Sequence, residues 1–297
     1  MPTKFLQVLH SITLKAVVTS QLKYNHHSFL IYKKPLRVAG VFYLICLFLL
    51  SSCSGFVFGY KAKKNSNLGS GYRAMSAQDY EDHLASLKQP FLNSPGVKVY
   101  RLDESTQKYL EGLLGDIIAN NEIFFKKLKQ GTITIIDSES PLHFSLPKGM
   151  IFLSRGLITK YLKTESMLAC VLSYELVRSE KLLYPRQTII PIGYVTMEKM
   201  LNFNRLSLDE KMEVHKWAHH LTIRSGFDGE YYLSWLQAQN RNTADFIYQV
   251  GDANQIAREE SLFKAFLIKS TNEEQVIPRK NSSKNFYTFI NRIRDVL

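Results

Sequence analysis

The sequence predicts an α+β fold in which helices dominate. Three observations carry that expectation. Apolar residues recur at three- and four-residue steps over long stretches, as in Leu110, Leu113, Leu114, Ile117, Ile118, Ile123 and Phe124. Residues 131–154 break the pattern with short β-branched or apolar runs of strand length. Of the 297 residues, 45% are hydrophobic, ample for a buried core.

Residues 105–128 read as one amphipathic helix. "GTITIID" follows as a strand, and "HFSLP" and "GMIFLS" are two more, parted by a turn at Pro147, Lys148 and Gly149. Helices are then expected over about 154–162, 164–181, 207–225 and 228–240. Thr164 is a fair N-cap for the second of these. Gly226 followed by Asp228 ends one helix and starts the next. The closing "NFYTFINRIRDVL" sets Phe286, Phe289, Ile290, Ile293 and Leu297 on one helical face. That face either docks on the domain or lies on a membrane surface, and docking is the preferred reading.

The N-terminal part is organised differently. Residues 1–53 carry Lys4, Lys15, Lys23, Lys33, Lys34 and Arg37 and no acidic residue, so half of the formal net charge of +12 sits there. A basic flank, an apolar run over 38–50 and small residues up to Cys53 follow in the order of a secretory signal. Leu50, Ser51, Ser52 and Cys53 resemble a bacterial lipobox, in which the cysteine is acylated. The run is short of the roughly 20 residues a membrane-spanning helix needs, although a stop-transfer or buried core helix is the alternative. The expected organisation is a leader over 1–53, a polar Gly/Ser-containing tether over 54–77 and a folded domain over 78–297. Cys46 would leave with the leader and Cys53 would carry lipid, so Cys170 remains alone and reads as a small core residue. With no basic patch interleaved with aromatics, no nucleic-acid partner is expected. No P-loop, G-x-S-x-G elbow or Cys-His pair is present. The acid pairs in "DEST" and "REES" read as helix starts or solvated faces.

One segment carries a motif in altered form. "PLHFSLPKGMIFLSRGLITKYLKTESMLACVLSYELVRSEK" resembles the core of the HtpX- and BepA-type zinc metallopeptidases, which are gluzincins. The likeness runs in register through Phe144, Leu146, Pro147, Gly149, Phe152, Arg155, Gly156, Leu157, Glu165, Val171, Leu172 and Glu175. A second block, "EVHKWAHHLTIRSGFDG", resembles that family's next helix through Glu213, Leu221, Arg224, Gly226, Phe227 and Asp228. The resemblance implies a zincin-like domain, mainly helical with a small β-sheet.

It also implies which residues hold the catalytic positions. In HExxH the two histidines lie four apart, so both imidazoles reach one Zn²⁺ while the glutamate polarises the bound water. Glu175 takes the general-base position and Glu213 the third-ligand position, but Tyr174 and Arg178 stand where the histidines belong. Tyrosine ligates poorly because its phenol titrates near about 10, and arginine has no available lone pair. Arg178 is expected either to fill the place of the zinc, bridging Glu175 and Glu213, or to face solvent with them. His215 and His219, four apart, offer an alternative divalent-cation pair.

The expected function follows from this altered motif: a lipid-anchored bacterial cell-envelope protein, periplasm-facing, with a catalytically degenerate peptidase-like domain. No cofactor is expected, zinc entering only in the alternative, an active metalloendopeptidase with non-standard ligands. Its expected partners are envelope proteins or extended peptides, pairing with the sheet edge at His143, Phe144, Ser145 and Leu146, since strand addition needs no metal.

Overall fold

The computed structural model describes residues 75–185, 188–270 and 281–294. The leader, Cys53 and nearly all of the predicted tether lie outside them. The chain divides into two units, and every described residue belongs to the second, Arg73–Leu297. That unit is mainly helical with one small sheet, as an α+β fold requires.

The first helix, α1 (Ala77–Ser86), starts on a capping box in which Ser76 and Asp79 satisfy each other's backbone N–H groups. Among the described residues, helix thus begins at a cap two residues before the predicted boundary. A short α2 (Lys88–Leu92) follows. Asp103 then caps α3 (Glu104–Ala119), accepting from the Thr106 N–H, so "DEST" is a helix start. This helix ends nine residues before the expected point. Asn121, buried, donates through Nδ2 to the carbonyls of Ile117 and Leu221 and to Ser225 Oγ, an arrangement that stops the helix and ties it to a distant one. Ile123, expected on the apolar face, is exposed as a result.

The three strands are β1 (Thr132–Ile136), β2 (His143–Leu146) and β3 (Met150–Ser154), ordered β1-β3-β2. β1 pairs with β3 in parallel and β2 with β3 in antiparallel register. Lys148 and Gly149 both take positive φ in the turn between β2 and β3, the geometry that folds a hairpin tightly. The period of two splits the side chains between two cores. Ile151 and Leu153 enter the larger core, whereas Phe144, Leu146 and Phe152 enter a smaller one with α1, α2 and Tyr184. His143 and Ser145, on the opposite face of β2, turn toward the next long helix.

After α4 (Arg155–Lys160) comes α5 (Glu165–Lys181), capped by Thr164 as expected. Residues 165–179 of α5 are all buried, so it is the central helix of the domain. Around it lie α6 (Met197–Phe203), α7 (Leu208–Arg224), α8 (Glu230–Arg241), α9 (Thr243–Val250) and α10 (Ala253–Ser270). Of these, α6, α9 and α10 were not anticipated, nor were α1 and α2. The last element, α11 (Lys284–Arg294), buries Phe286, Phe289, Ile290 and Ile293 in the larger core, which is the docking reading of that amphipathic face. Cys170 is fully buried and free, with burial pushing its thiol pKa far above the ordinary value.

Candidate functional site

Tyr174, Glu175 and Arg178 occupy one buried stretch of α5. Such a helix is stable only if each polar group finds a partner, because an unpaired buried charge is costly. Glu175 Oε1 accepts from His143 Nδ1 at 2.6 Å and Oε2 from Arg178 Nη1 at 3.4 Å. Burial raises the Glu175 pKa, but the Arg178 charge and the His143 hydrogen bond outweigh it and hold the carboxyl below its ordinary value. Arg178 Nη2 donates to the carbonyl of Asn204 at 2.6 Å and to its Oδ1 at 3.0 Å, binding α5 to the C-terminus of α6.

A second charged group faces this one from α7 and α10. Lys211 Nζ donates to Glu259 Oε1 at 2.6 Å. His215 lies 3.3 Å through Nε2 from Glu259 Oε2 and 3.0 Å through Nδ1 from the Tyr232 hydroxyl. Burial depresses the His215 pKa despite the carboxylate, so the ring is neutral near pH 7. Since a carboxylate only accepts, the proton sits on Nε2 and Tyr232 donates to Nδ1. Burial likewise pushes Glu259 up, and the His215 hydrogen bond and Lys211 charge more than reverse that. The Tyr174 ring lies between the two groups, 5.8 Å from His143 and 4.9 Å from His215. Between them is a small cavity of about 40 Å³, lined by His143, Tyr174, Arg178, Lys211, His215 and Glu259 among others.

The geometry corrects several expectations. Glu213 is exposed and pairs with Lys216 at 2.7 Å, so Arg178 does not bridge it to Glu175. The reason is helical phase: Lys211 and His215 are four apart and share the buried face of α7, and Glu213, midway between them, points to the other side. Arg178 and Glu175 are buried, not solvent-facing. "REES" is not a solvated face either, for Glu259 and Glu260 are both buried. His215 and His219 are both buried, and His215 is engaged with Tyr232 and Glu259. His219 sits among Tyr232, Phe263 and Phe266, and burial, with His220 nearby, pushes its pKa down to about 4.

The expected peptide edge is also changed. All four residues of β2 are buried. At His143 the main chain already makes strand-like hydrogen bonds with the Gln249 side chain of α9, N–H to Oε1 at 3.1 Å and C=O from Nε2 at 2.9 Å. A peptide pairing there must displace that amide.

Lys211, Glu259, Asn204, Tyr232 and Gln249 were missed from sequence. A lysine and a histidine four apart on an otherwise apolar helix face were the one available signal, and it named no partner. The cluster does not suit a zinc ion. Two cations, Arg178 and Lys211, are fixed at the cavity, and burial holds the Tyr174 phenol protonated, its pKa raised far above normal. Among the described residues no group of three or more His, Cys, Asp or Glu side chains converges as a metal site. No protein-family model matches the chain, and no curated protein matches it.

Proposed function

We propose that this chain is a non-catalytic, zincin-like module of the bacterial cell envelope, held at a membrane through its N-terminal region, that binds or scaffolds other envelope proteins or extended peptides. One observation carries the loss of catalysis. Beside the glutamate that resembles the general base stands Arg178, and Lys211 lines the same cavity, each ion-paired to a buried glutamate, in place of the doubly charged metal of the resembled enzymes. The exchange keeps the positive charge and removes the open coordination position on which water activation depends. Glu175 has both oxygens engaged and no water-polarising role left.

Binding rests on the parts that the exchange leaves in place: the sheet, its edge strand and the helices packed around it. An extended segment would add to β2 by replacing the Gln249 amide with its own main chain. Metal analysis of the purified full chain, run beside a casein cleavage assay, tests the reading. The expected result is substoichiometric zinc and no cleavage. Stoichiometric zinc with cleavage that disappears in Glu175→Gln would overturn it.

A further inference from the structure

Between α5 and α6 the chain runs through "TIIPIGYVT", residues 188–196. Two of its apolar side chains are pinned: Ile189 and Val195 are buried in the smaller core, and the Val195 N–H donates to the Pro90 carbonyl of α2. Those between them face outward. Ile190 is 74% exposed, Ile192 96% and Tyr194 50%. Gly193 has φ +81 and the Tyr194 N–H donates back to the Ile192 carbonyl, so the protrusion is a tight turn braced at both ends. Single exposed apolar residues are ordinary; two aliphatics and a tyrosine projecting together from a braced turn form a patch that calls for a partner.

Its place in the fold identifies that partner. The Tyr80 hydroxyl of α1 donates to the Pro185 carbonyl just before this segment, and α1, α2, Ile189 and Val195 share one core. The protrusion therefore sits beside the helices at which the chain arrives from its N-terminal region. On the anchored reading, an acylated Cys53 stands only 22 residues before Met75 in the sequence. We infer that Ile190, Ile192 and Tyr194 are a bilayer-inserting turn, the aliphatics entering the acyl boundary and the tyrosine lying at headgroup level. A shallow groove beside it, about 410 Å³, has a mixed lining, with Ile189, Ile190 and Phe203 beside the polar Thr188, Thr196, Glu198, Lys199 and Asn202. The inference rests on the anchored reading above.

The test uses the full chain on vesicles of phosphatidylethanolamine and phosphatidylglycerol, with and without lipid brominated on the acyl chain. Ile192→Trp is expected to add emission that the brominated lipid quenches, beyond any quenching of the native Trp217 and Trp235. Tyr287→Trp, on the exposed side of α11, is expected to add emission that is not quenched. Flotation with the vesicles separates the two readings. A chain that floats while the I192W emission is unquenched, or quenched no more than Y287W, overturns the turn and leaves the anchor standing. A chain that does not float overturns both. If Ile190→Ser with Ile192→Ser instead converts an oligomer to a monomer without lipid, the patch is a protein interface and the inference fails.

Discussion

Two buried charge groups meet at the cavity, built alike from different parts of the chain. In the first, Glu175 and Arg178 are one turn apart on α5, and His143 joins them from β2. In the second, Lys211 and His215 are one turn apart on α7, and their carboxylate comes from Glu259 on α10. Each sets a cation and a histidine against one glutamate. They differ in completeness. Both Lys211 and His215 close on Glu259, whereas Arg178 divides its donors between Glu175, at a long 3.4 Å, and Asn204, and its Nε has no partner among the described residues. The first group thus ties three elements, α5, β2 and α6, and the second clamps α7 to α10.

That contrast ranks the expected perturbations. Arg178→Ala strands Glu175 in the core and cuts the tie to Asn204, so a loss of about 3–5 kcal/mol in urea unfolding is expected. An unchanged midpoint would mean the pair contributes nothing to holding the helices.

Acid probes the histidines next. The His219 pKa lies near about 4 in the folded chain against an ordinary 6.5, so below pH 6.5 the unfolded chain binds a proton that the folded chain refuses. Stability then declines from about pH 6.5 to about pH 4, by up to roughly 3 kcal/mol. His215, also depressed, adds to the same slope. The two glutamates act lower: their folded pKa values are reduced, so their contribution is present above the ordinary glutamate value and lost as pH falls through the reduced one. Replacing His219 with Phe should flatten the upper part of the decline, measured by urea unfolding at about pH 7 and about pH 4.5.

A smaller effect is expected in the second group. Glu259→Gln leaves Lys211 able to reach Gln255, so a loss of about 1–3 kcal/mol is anticipated. Adding Lys211→Met should restore part of it, because the double variant no longer buries an ammonium whose carboxylate has been removed. No restoration would show that the clamp works through hydrogen-bond geometry and not charge balance. Glu213→Ala, on the exposed side of α7, should change stability by less than about 0.5 kcal/mol. A larger loss would return Glu213 to the site.

How much of this was legible follows from sequence distance. The β2–β3 hairpin, the cap and extent of α5, and the burial of the C-terminal face were readable, because each depends on residues within a few positions of one another. Glu175 and Arg178 stood out for the same reason. Glu259 lies 48 residues from Lys211, and nothing in "REES" separates a buried glutamate from a solvated one until α10 is packed against α7. Glu213 was misplaced because its role came from the resemblance alone; it lies two residues from both Lys211 and His215, and two residues on a helix turn a side chain to nearly the opposite face.

The sequence by itself determined the helical dominance, the strands and their turn, and the spacing of Tyr174, Glu175 and Arg178 on α5, since these are matters of local spacing and residue chemistry. Tertiary structure alone decided which charges meet: Lys211 with Glu259, His143 with Glu175, Gln249 on the edge of β2, and an apolar turn set beside the chain's entry. A buried charge has to find its counter-charge in space, and the packing of distant helices, not their order along the chain, decides where that counter-charge lies.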